Sequence, residues 1–257
     1  MIDINKMVFG FELEGLYYDP DDDLHIQGYH SGEFGHRTFK MEQDSTLEPD
    51  DEDREYDTYE DEYGDEIQDE DGEYTTCWKG AELINRPMTG TSIHSKYVNG
   101  VQKYLTNALC RNVKDMKMKN VVYFNDTCGF HVHFSIEDMN LTDTVYYDFI
   151  QDLRETFFEK VSNSEIINSN AKRAIKSNYY RSYAREMEVG EFYGQHGQEF
   201  NYSSYMNGRG FEWRSPSLNG IEDWDELAEM VRIITSTIVE ALNERETTYN
   251  EVFACVI

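Results

Sequence analysis

This sequence of 257 residues contains few prolines, few cysteines and no long apolar stretch. Four prolines accompany 14% aromatic residues, a composition that predicts a folded chain over most of its length. The four cysteines are dispersed without a Cys-X-X-Cys pair, so a zinc site of the usual spacing is not predicted. No segment approaches the roughly 20 apolar residues that span a bilayer, and no signal peptide is visible. We therefore expect a soluble, cytoplasmic protein without a membrane partner.

Positive charge is also scarce, because 23 Lys and Arg residues stand against 51 Asp and Glu residues for a net charge of -28. This balance disfavours nucleic-acid backbones as partners, except through mimicry of nucleic acid. Half of the excess lies in residues 50–73, with fifteen acidic residues and one arginine. The surrounding segment 49–76 has few aliphatic residues and no consistent period, so we interpret it as an acidic insertion or mobile loop with room for a short hairpin. A solvated loop is the simplest role for it, and binding of metal or of a cationic partner is the alternative.

Sequence signatures of common nucleotide-binding and nucleophilic sites are missing. The chain has no GXXXXGK[ST] segment, which excludes a P-loop, and no GXSXG segment. Any bound nucleotide would have to be held by metal ions and arginines.

Strands and helices alternate along the chain without an internal repeat. The predicted strands cover residues 4–18, 36–41, 81–84 and 121–124 and the segments around His131 and Glu212. The predicted helices cover residues 92–109, 142–161 and Trp224 to about Arg245. We see no second domain and predict one domain over residues 1–257, with 49–76 inserted in it.

Three short segments place polar residues on both sides of an apolar one. Their polar members are Glu12 and Glu14, His131 and His133, and Glu212 and Arg214. Because successive side chains of a strand point to opposite faces, each pair shares one face. If the three strands lie in one sheet, the opposite face is apolar and packs on a core. The polar face then gathers three carboxylates, two imidazoles and a guanidinium, a set suited to Mg²⁺ and phosphate.

Each pair also has a simpler interpretation. The two glutamates can be solvated strand acids, the two histidines can be structural, and Glu212 with Arg214 can form a salt bridge. Glu82 and Asp44 are weaker candidates because each lies near a strand end. Two further arginines, four residues apart, would present two cations to a polyphosphate from one helix face or form part of a solvated basic helix. They are Arg181 and Arg185.

Four motifs in order resemble the amidoligase family, part of the carboxylate–amine ligase superfamily that includes glutamine synthetase and glutamate–cysteine ligase. They are GFELE at 10–14, ELINRP at 82–87, GFHVH at 129–133 and FEWR at 211–214. The resemblance extends in scattered motifs from Gly10 to about Pro216. It departs from the family in the insertion 49–76 and in Trp213, where a plain apolar residue is more usual.

The resemblance implies an α+β fold in which a curved antiparallel sheet carries helices on one face and binds ATP and Mg²⁺, or Mn²⁺, on the other. It implies condensation of a carboxylate with an amine through an acyl phosphate, with small molecules, peptides or proteins as substrates. The implied metal ligands are Glu12, Glu14, Glu212 and His131. The implied catalytic residues are Arg214, Glu212 and His131, and the implied nucleotide contacts are Arg181, Arg185, Arg214 and His133.

Two other functions remain open at this stage. The acidic segment could make the protein an inhibitor or interaction protein that mimics nucleic acid or binds a basic partner. Alternatively, the carboxylates and imidazoles could serve a metal-dependent hydrolase that consumes water and needs no ATP. The sequence does not predict the oligomeric state.

Overall fold

The computed structural model describes residues 4–28, 34, 37–56, 58–60, 66–68, 74–136, 143–178, 211–214 and 216–254. Within these residues an open antiparallel sheet of seven strands combines with four α-helices. The α+β class is therefore confirmed. Arg181 and Arg185 lie outside the described residues.

The strands and helices are numbered in chain order. The strands are β1 (Met7–Tyr18), β2 (Phe39–Gln43), β3 (Glu55–Tyr56), β4 (Thr58–Glu60), β5 (Glu66–Gln68), β6 (Tyr74–Thr75), β7 (Trp78–Asn85), β8 (Met88–Thr89), β9 (Val122–Tyr123), β10 (Phe130–Ile136) and β11 (Phe211–Trp213). The helices are α1 (Ile93–Ala108), α2 (Asp143–Asn163), α3 (Ser169–Asn178) and α4 (Trp224–Ala254).

The sheet is organised around β1, the longest of the described strands. The strand order is β11-β10-β1-β7-β2, and β8 and β9 also pair with β1. All the ladders of this sheet are antiparallel. Strand β7 extends further towards its start than the predicted 81–84, because Trp78 still pairs with Tyr18 at the end of β1. Strand β2 lies slightly later than the predicted 36–41.

One face of the sheet is a core of aromatic rings covered by helix α1. Phe9, Phe11 and Leu13 alternate along β1 and are fully buried. The ring of Phe11 stacks on Phe130 of β10 with centroids 5.5 Å apart, and it lies 4.7 Å from Tyr97 of α1. This is the apolar face that the alternation predicts, and its burial is the main source of stability for the sheet.

Helices α2 and α4 extend this core towards β11. Phe157 of α2 meets Trp213 of β11 edge-on at 5.2 Å. The predicted apolar stripe of α4 is buried, and it consists of Leu227, Val231, Ile234, Ile238 and Leu242. Helix α4 continues to Ala254, past the predicted end near Arg245, because no proline or glycine follows to stop it.

The acidic segment 49–76 contains two short antiparallel ladders. Strand β3 pairs with β6, and β4 pairs with β5, so a hairpin is present as the sequence allowed. The first residues of this segment contact the rest of the fold. The side-chain amide of Asn125, in the turn before β10, donates to a side-chain oxygen of Asp50 at 2.8 Å. The Trp78 indole also donates to the Asp53 carboxylate at 3.2 Å.

Within the described ranges, no helix combines the length and the apolar character that crossing a membrane requires.

Candidate metal and phosphate site

The strand register places the three predicted polar pairs on adjacent strands of one face. Glu12 lies directly opposite His131, and His133 lies opposite Glu212. On the other side of β1, Glu14 lies opposite Glu82 of β7. Gly10 lies opposite His133 and leaves the surface of β1 next to this histidine without a side chain. The predicted residues therefore form one continuous polar surface.

Glu12 is at the centre of this surface and is held by both histidines. His131 Nδ1 lies 3.1 Å from Glu12 Oε2, and His133 Nε2 lies 3.0 Å from Glu12 Oε1. Burial alone would raise the pKa of Glu12, but the hydrogen bonds from the two imidazoles outweigh it and hold the pKa well below its usual range. Glu12 is therefore ionised and available as a ligand.

His131 bridges the two glutamates of β1. Its Nε2 lies 3.2 Å from Glu14 Oε1, while its Nδ1 contacts Glu12. The imidazole is 2% exposed. Burial lowers the pKa of His131, but the charge of Glu14 and the hydrogen bond to Glu12 more than compensate, and the net result is a raised pKa. With both nitrogens engaged, His131 fixes the two carboxylates in place.

Gly129 supplies a further contact that the sequence did not indicate. Its backbone N–H donates to Glu14 Oε2 at 2.6 Å. A Cβ atom at this position would lie 2.7 Å from the same oxygen and 3.2 Å from His131 Nε2. Only glycine allows the chain to approach the carboxylate this closely.

Two groups of potential metal ligands result, and their donor atoms lie within 4.8 Å of one another in each group. The first donor group is Glu12, His133 and Glu212, and the second donor group is Glu14, Asp44 and Glu82. The second group offers only oxygen, which suits Mg²⁺, and the first adds one imidazole nitrogen, which Mn²⁺ also accepts. Neither of these two groups includes His131, so the imidazole among these potential ligands is that of His133.

Two carboxyls of the second donor group, Glu82 and Glu14, have raised pKa values. Burial, followed by the charges of Glu12 and Glu14, raises the pKa of Glu82 to about 8. Burial also raises the pKa of Glu14, against the opposing influence of His131 and Gly129. Neighbouring carboxylates without a cation repel each other, and a divalent cation would reverse this preference.

These shifts predict a pH dependence for the metal-free protein. A group with a raised folded-state pKa stabilises the fold below its unfolded pKa, and this stabilisation is lost as the pH rises through the folded pKa. Glu82, Glu14 and His131 all have raised pKa values. We therefore expect the free energy of unfolding, measured with urea, to fall from about pH 5 to about pH 8.

The Glu82→Gln variant is expected to flatten the upper part of this decline, and added Mg²⁺ is expected to oppose it. The matched control is Glu159→Gln, which removes an exposed carboxylate on α2 and should keep the slope. A decline that is the same in the Glu82→Gln variant as in the unaltered protein would contradict the prediction.

Arg214 follows β11 and closes one end of the surface. Its Nη1 lies 3.5 Å from Glu212 Oε1, and its side chain is 17% exposed. The register of β10 with β11 places Arg214 one step beyond the pair of Val132 with Trp213, on the side of His131. The guanidinium therefore lies next to the first donor group, where it both pairs with a ligand and can meet an anion.

Strand β2 adds two residues that the sequence analysis did not select. Lys40 and Glu42 form an ion pair on the polar face, and Lys40 and Arg86 both contact the Phe34 ring, at 5.2 and 5.4 Å from its centroid. The segment from Phe39 to Glu42 shows the same alternation as the three selected motifs. The predicted strand ended at Met41, so it included Lys40 but not Glu42.

Comparison with models of known protein families gives no match for this chain. Comparison with curated proteins finds no relative.

Proposed function

We propose that this protein is an ATP- and Mg²⁺-dependent carboxylate–amine ligase with a glutamine synthetase-like catalytic fold. The observation that carries the proposal is the pair of donor groups on the two sides of β1, with Arg214 beside the first. Enzymes that transfer phosphoryl groups commonly combine bound divalent cations with an arginine guanidinium. The four motifs that resemble the amidoligase family supply the reaction class.

The residues present fit a divalent cation. Each donor group provides three side chains, and the hydrogen bonds to Glu12 keep its carboxylate ionised. When bound, Mg²⁺ would neutralise part of the negative charge on the ATP phosphates. Glu12, Glu212 and His133 would hold one ion, and Glu14, Glu82 and Asp44 would hold the other. His131 would act by positioning, because it contacts both glutamates of β1.

The proposed reaction has two steps. An oxygen of the substrate carboxylate bonds to the γ-phosphorus, the bond to the β-phosphate oxygen breaks, and ADP leaves. The amine nitrogen then bonds to the acyl carbon, the bond from this carbon to the phosphate oxygen breaks, and phosphate leaves. The nitrogen gives up one proton to solvent, which yields the amide or isopeptide. Arg214 stabilises the charge on the transferred group, and the largely buried site strengthens this interaction.

An arginine-to-lysine change tests the role of Arg214. Arg214→Lys keeps the charge but loses the planar fork that can bind two oxygens at once. We expect ADP formation to fall by about 100-fold or more while ATP affinity changes only a few-fold. The readout is ADP release at saturating ATP, together with calorimetric ATP binding. Unchanged turnover would remove Arg214 from the proposed mechanism.

Calorimetric titration of ATP, with Mg²⁺ and with EDTA, tests the proposal itself. Binding that requires Mg²⁺, followed by ADP release that requires both a carboxylate and an amine, is the expected result. Absence of ATP binding, with metal-dependent cleavage of an ester or amide, would instead identify a hydrolase. A third outcome is absence of both ATP binding and hydrolysis, with binding of a basic protein that is lost when residues 50–73 are removed. This outcome would identify the acidic segment as the functional region.

A further inference from the structure

A cationic hollow lies on the side of the sheet opposite the candidate site. It has a volume of about 630 Å³ and lies between α1 and the edge strand β2. Phe39 of β2 faces this hollow, whereas Lys40, the next residue, faces the donor groups. The hollow is thus separate from the proposed catalytic face.

The floor of the hollow is aromatic and apolar. Phe39 and Tyr104 line it, with ring centroids 6.2 Å apart, and Met88 and Ala108 complete it. Gly100 belongs to the same surface, and a Cβ atom there would lie 2.5 Å from the Phe39 ring. The glycine lets α1 approach β2 closely.

The rim carries positive charge in a strongly acidic protein. Arg37, Lys96 and Lys103 line the hollow together with His25, and Asp23 is the acid among the lining residues. Among the described residues, no carboxylate forms an ion pair with Lys96 or Lys103. The ammonium group of Lys96 makes one long hydrogen bond, of 3.4 Å, to a backbone carbonyl.

Arg37 lies beside the floor. Burial raises the pKa of Tyr104, and the nearby guanidinium of Arg37 acts in the opposite direction, so one cation lies at the edge of the aromatic surface. Lys96 and Lys103 lie on the exposed side of α1, two turns apart, and flank the hollow from the helix. A ligand in the hollow would contact rings below and ammonium groups at its margin.

We propose that this hollow binds a small organic anion that joins a flat apolar body to a carboxylate or phosphate. The volume falls in the usual range for small-molecule sites, which combine an apolar lining with few polar anchors. The apolar body would lie against Tyr104, Met88 and Ala108, and the anionic group would meet Lys96 and Lys103.

The probe for the test is 8-anilinonaphthalene-1-sulfonate, whose fluorescence rises in apolar surroundings. The matched neutral probe is N-phenyl-1-naphthylamine, which has the same rings without the sulfonate. We expect one equivalent of the anionic probe to bind, with at least about tenfold higher affinity than the neutral probe and with weaker binding at high salt. Equal affinity for the two probes would overturn the proposal.

Two variants locate the binding. The double variant Lys96→Gln/Lys103→Gln is expected to raise the dissociation constant of the anionic probe at least about tenfold. The control Lys117→Gln/Lys176→Gln removes two exposed lysines elsewhere and should leave it unchanged. Asn107→Trp, which adds bulk at the hollow without changing charge, should abolish binding. Retention of tight binding in both the double lysine variant and Asn107→Trp would overturn the proposal.

Competition then identifies the anionic group. 2-Naphthoate and 2-naphthyl phosphate carry the same rings with a carboxylate and a phosphate, respectively. If one of the two compounds displaces the anionic probe at a lower concentration, its anionic group, carboxylate or phosphate, is the one that the hollow prefers. Failure of both to displace it at millimolar concentration would contradict the proposed ligand class.

Discussion

Replacing Glu12 by glutamine is expected to reduce Mg²⁺-dependent ADP formation by about 1,000-fold or more and to remove Mg²⁺-dependent ATP binding. Glu12 is the member of the first donor group that both histidines contact. Glutamine has nearly the same shape, but it lacks the charge that a divalent cation requires. It also changes the hydrogen bonding of both imidazoles, because one of its two terminal groups is a donor.

The fold should survive this substitution, because Glu12 is partly exposed and the Phe11 and Leu13 side chains behind it stay in place. The expected free energy of unfolding of the metal-free variant therefore stays within about 2 kcal/mol of the original. Glu159→Gln is the matched control for loss of one carboxylate and should keep full activity. Retained Mg²⁺-dependent turnover in Glu12→Gln would exclude Glu12 as a ligand.

Replacing Trp213 by alanine is expected to lower the free energy of unfolding by about 3–5 kcal/mol. Trp213 is fully buried and packs edge-on against Phe157 of α2. Strand β11 has three residues and pairs with β10, so its position depends on this side chain. Because Glu212 and Arg214 flank Trp213, the variant should also lose Mg²⁺-dependent ATP binding.

Urea titration measures the stability change, and calorimetry at a temperature where the variant is folded measures the binding. Trp213→Phe serves as the matched substitution, because phenylalanine keeps a ring against Phe157 and should lose about 1–2 kcal/mol with binding retained. If Trp213→Ala bound ATP as tightly as the unaltered protein, β11 would not supply ligands in the way proposed.

Alternation in the sequence predicted the faces of the strands but not their neighbours. It placed Glu12 with Glu14 and His131 with His133, because side-chain direction follows from a period of two. It did not predict that Glu12 faces His131, since strand pairing across 119 positions depends on the whole sheet. The order of the motifs is in the sequence, and the register came from the structure.

The contacts that the sequence did not indicate are those made by backbone or by strand ends. The backbone N–H of Gly129 donates to Glu14, and a backbone contact leaves no side-chain pattern in the sequence. Asp44 was only a weaker candidate in the sequence, because it joins the second donor group from just after β2, where no periodic pattern extends. The resemblance implied His131 as a metal ligand and His133 as a nucleotide contact. In the described part of the chain, His133 joins a group of potential ligands, and His131 lies between Glu12 and Glu14.

The central position of β1 also affects how the protein is made. Its partners β7, β8, β9 and β10 all follow it in the chain, and β11 joins later still. During synthesis, the strand with Phe9, Phe11 and Leu13 leaves the ribosome before any of these partners exists. Long-range pairing of this kind slows folding and leaves apolar surface exposed for longer. The nascent chain is therefore the state most in need of protection from aggregation, although the finished sheet buries that surface completely.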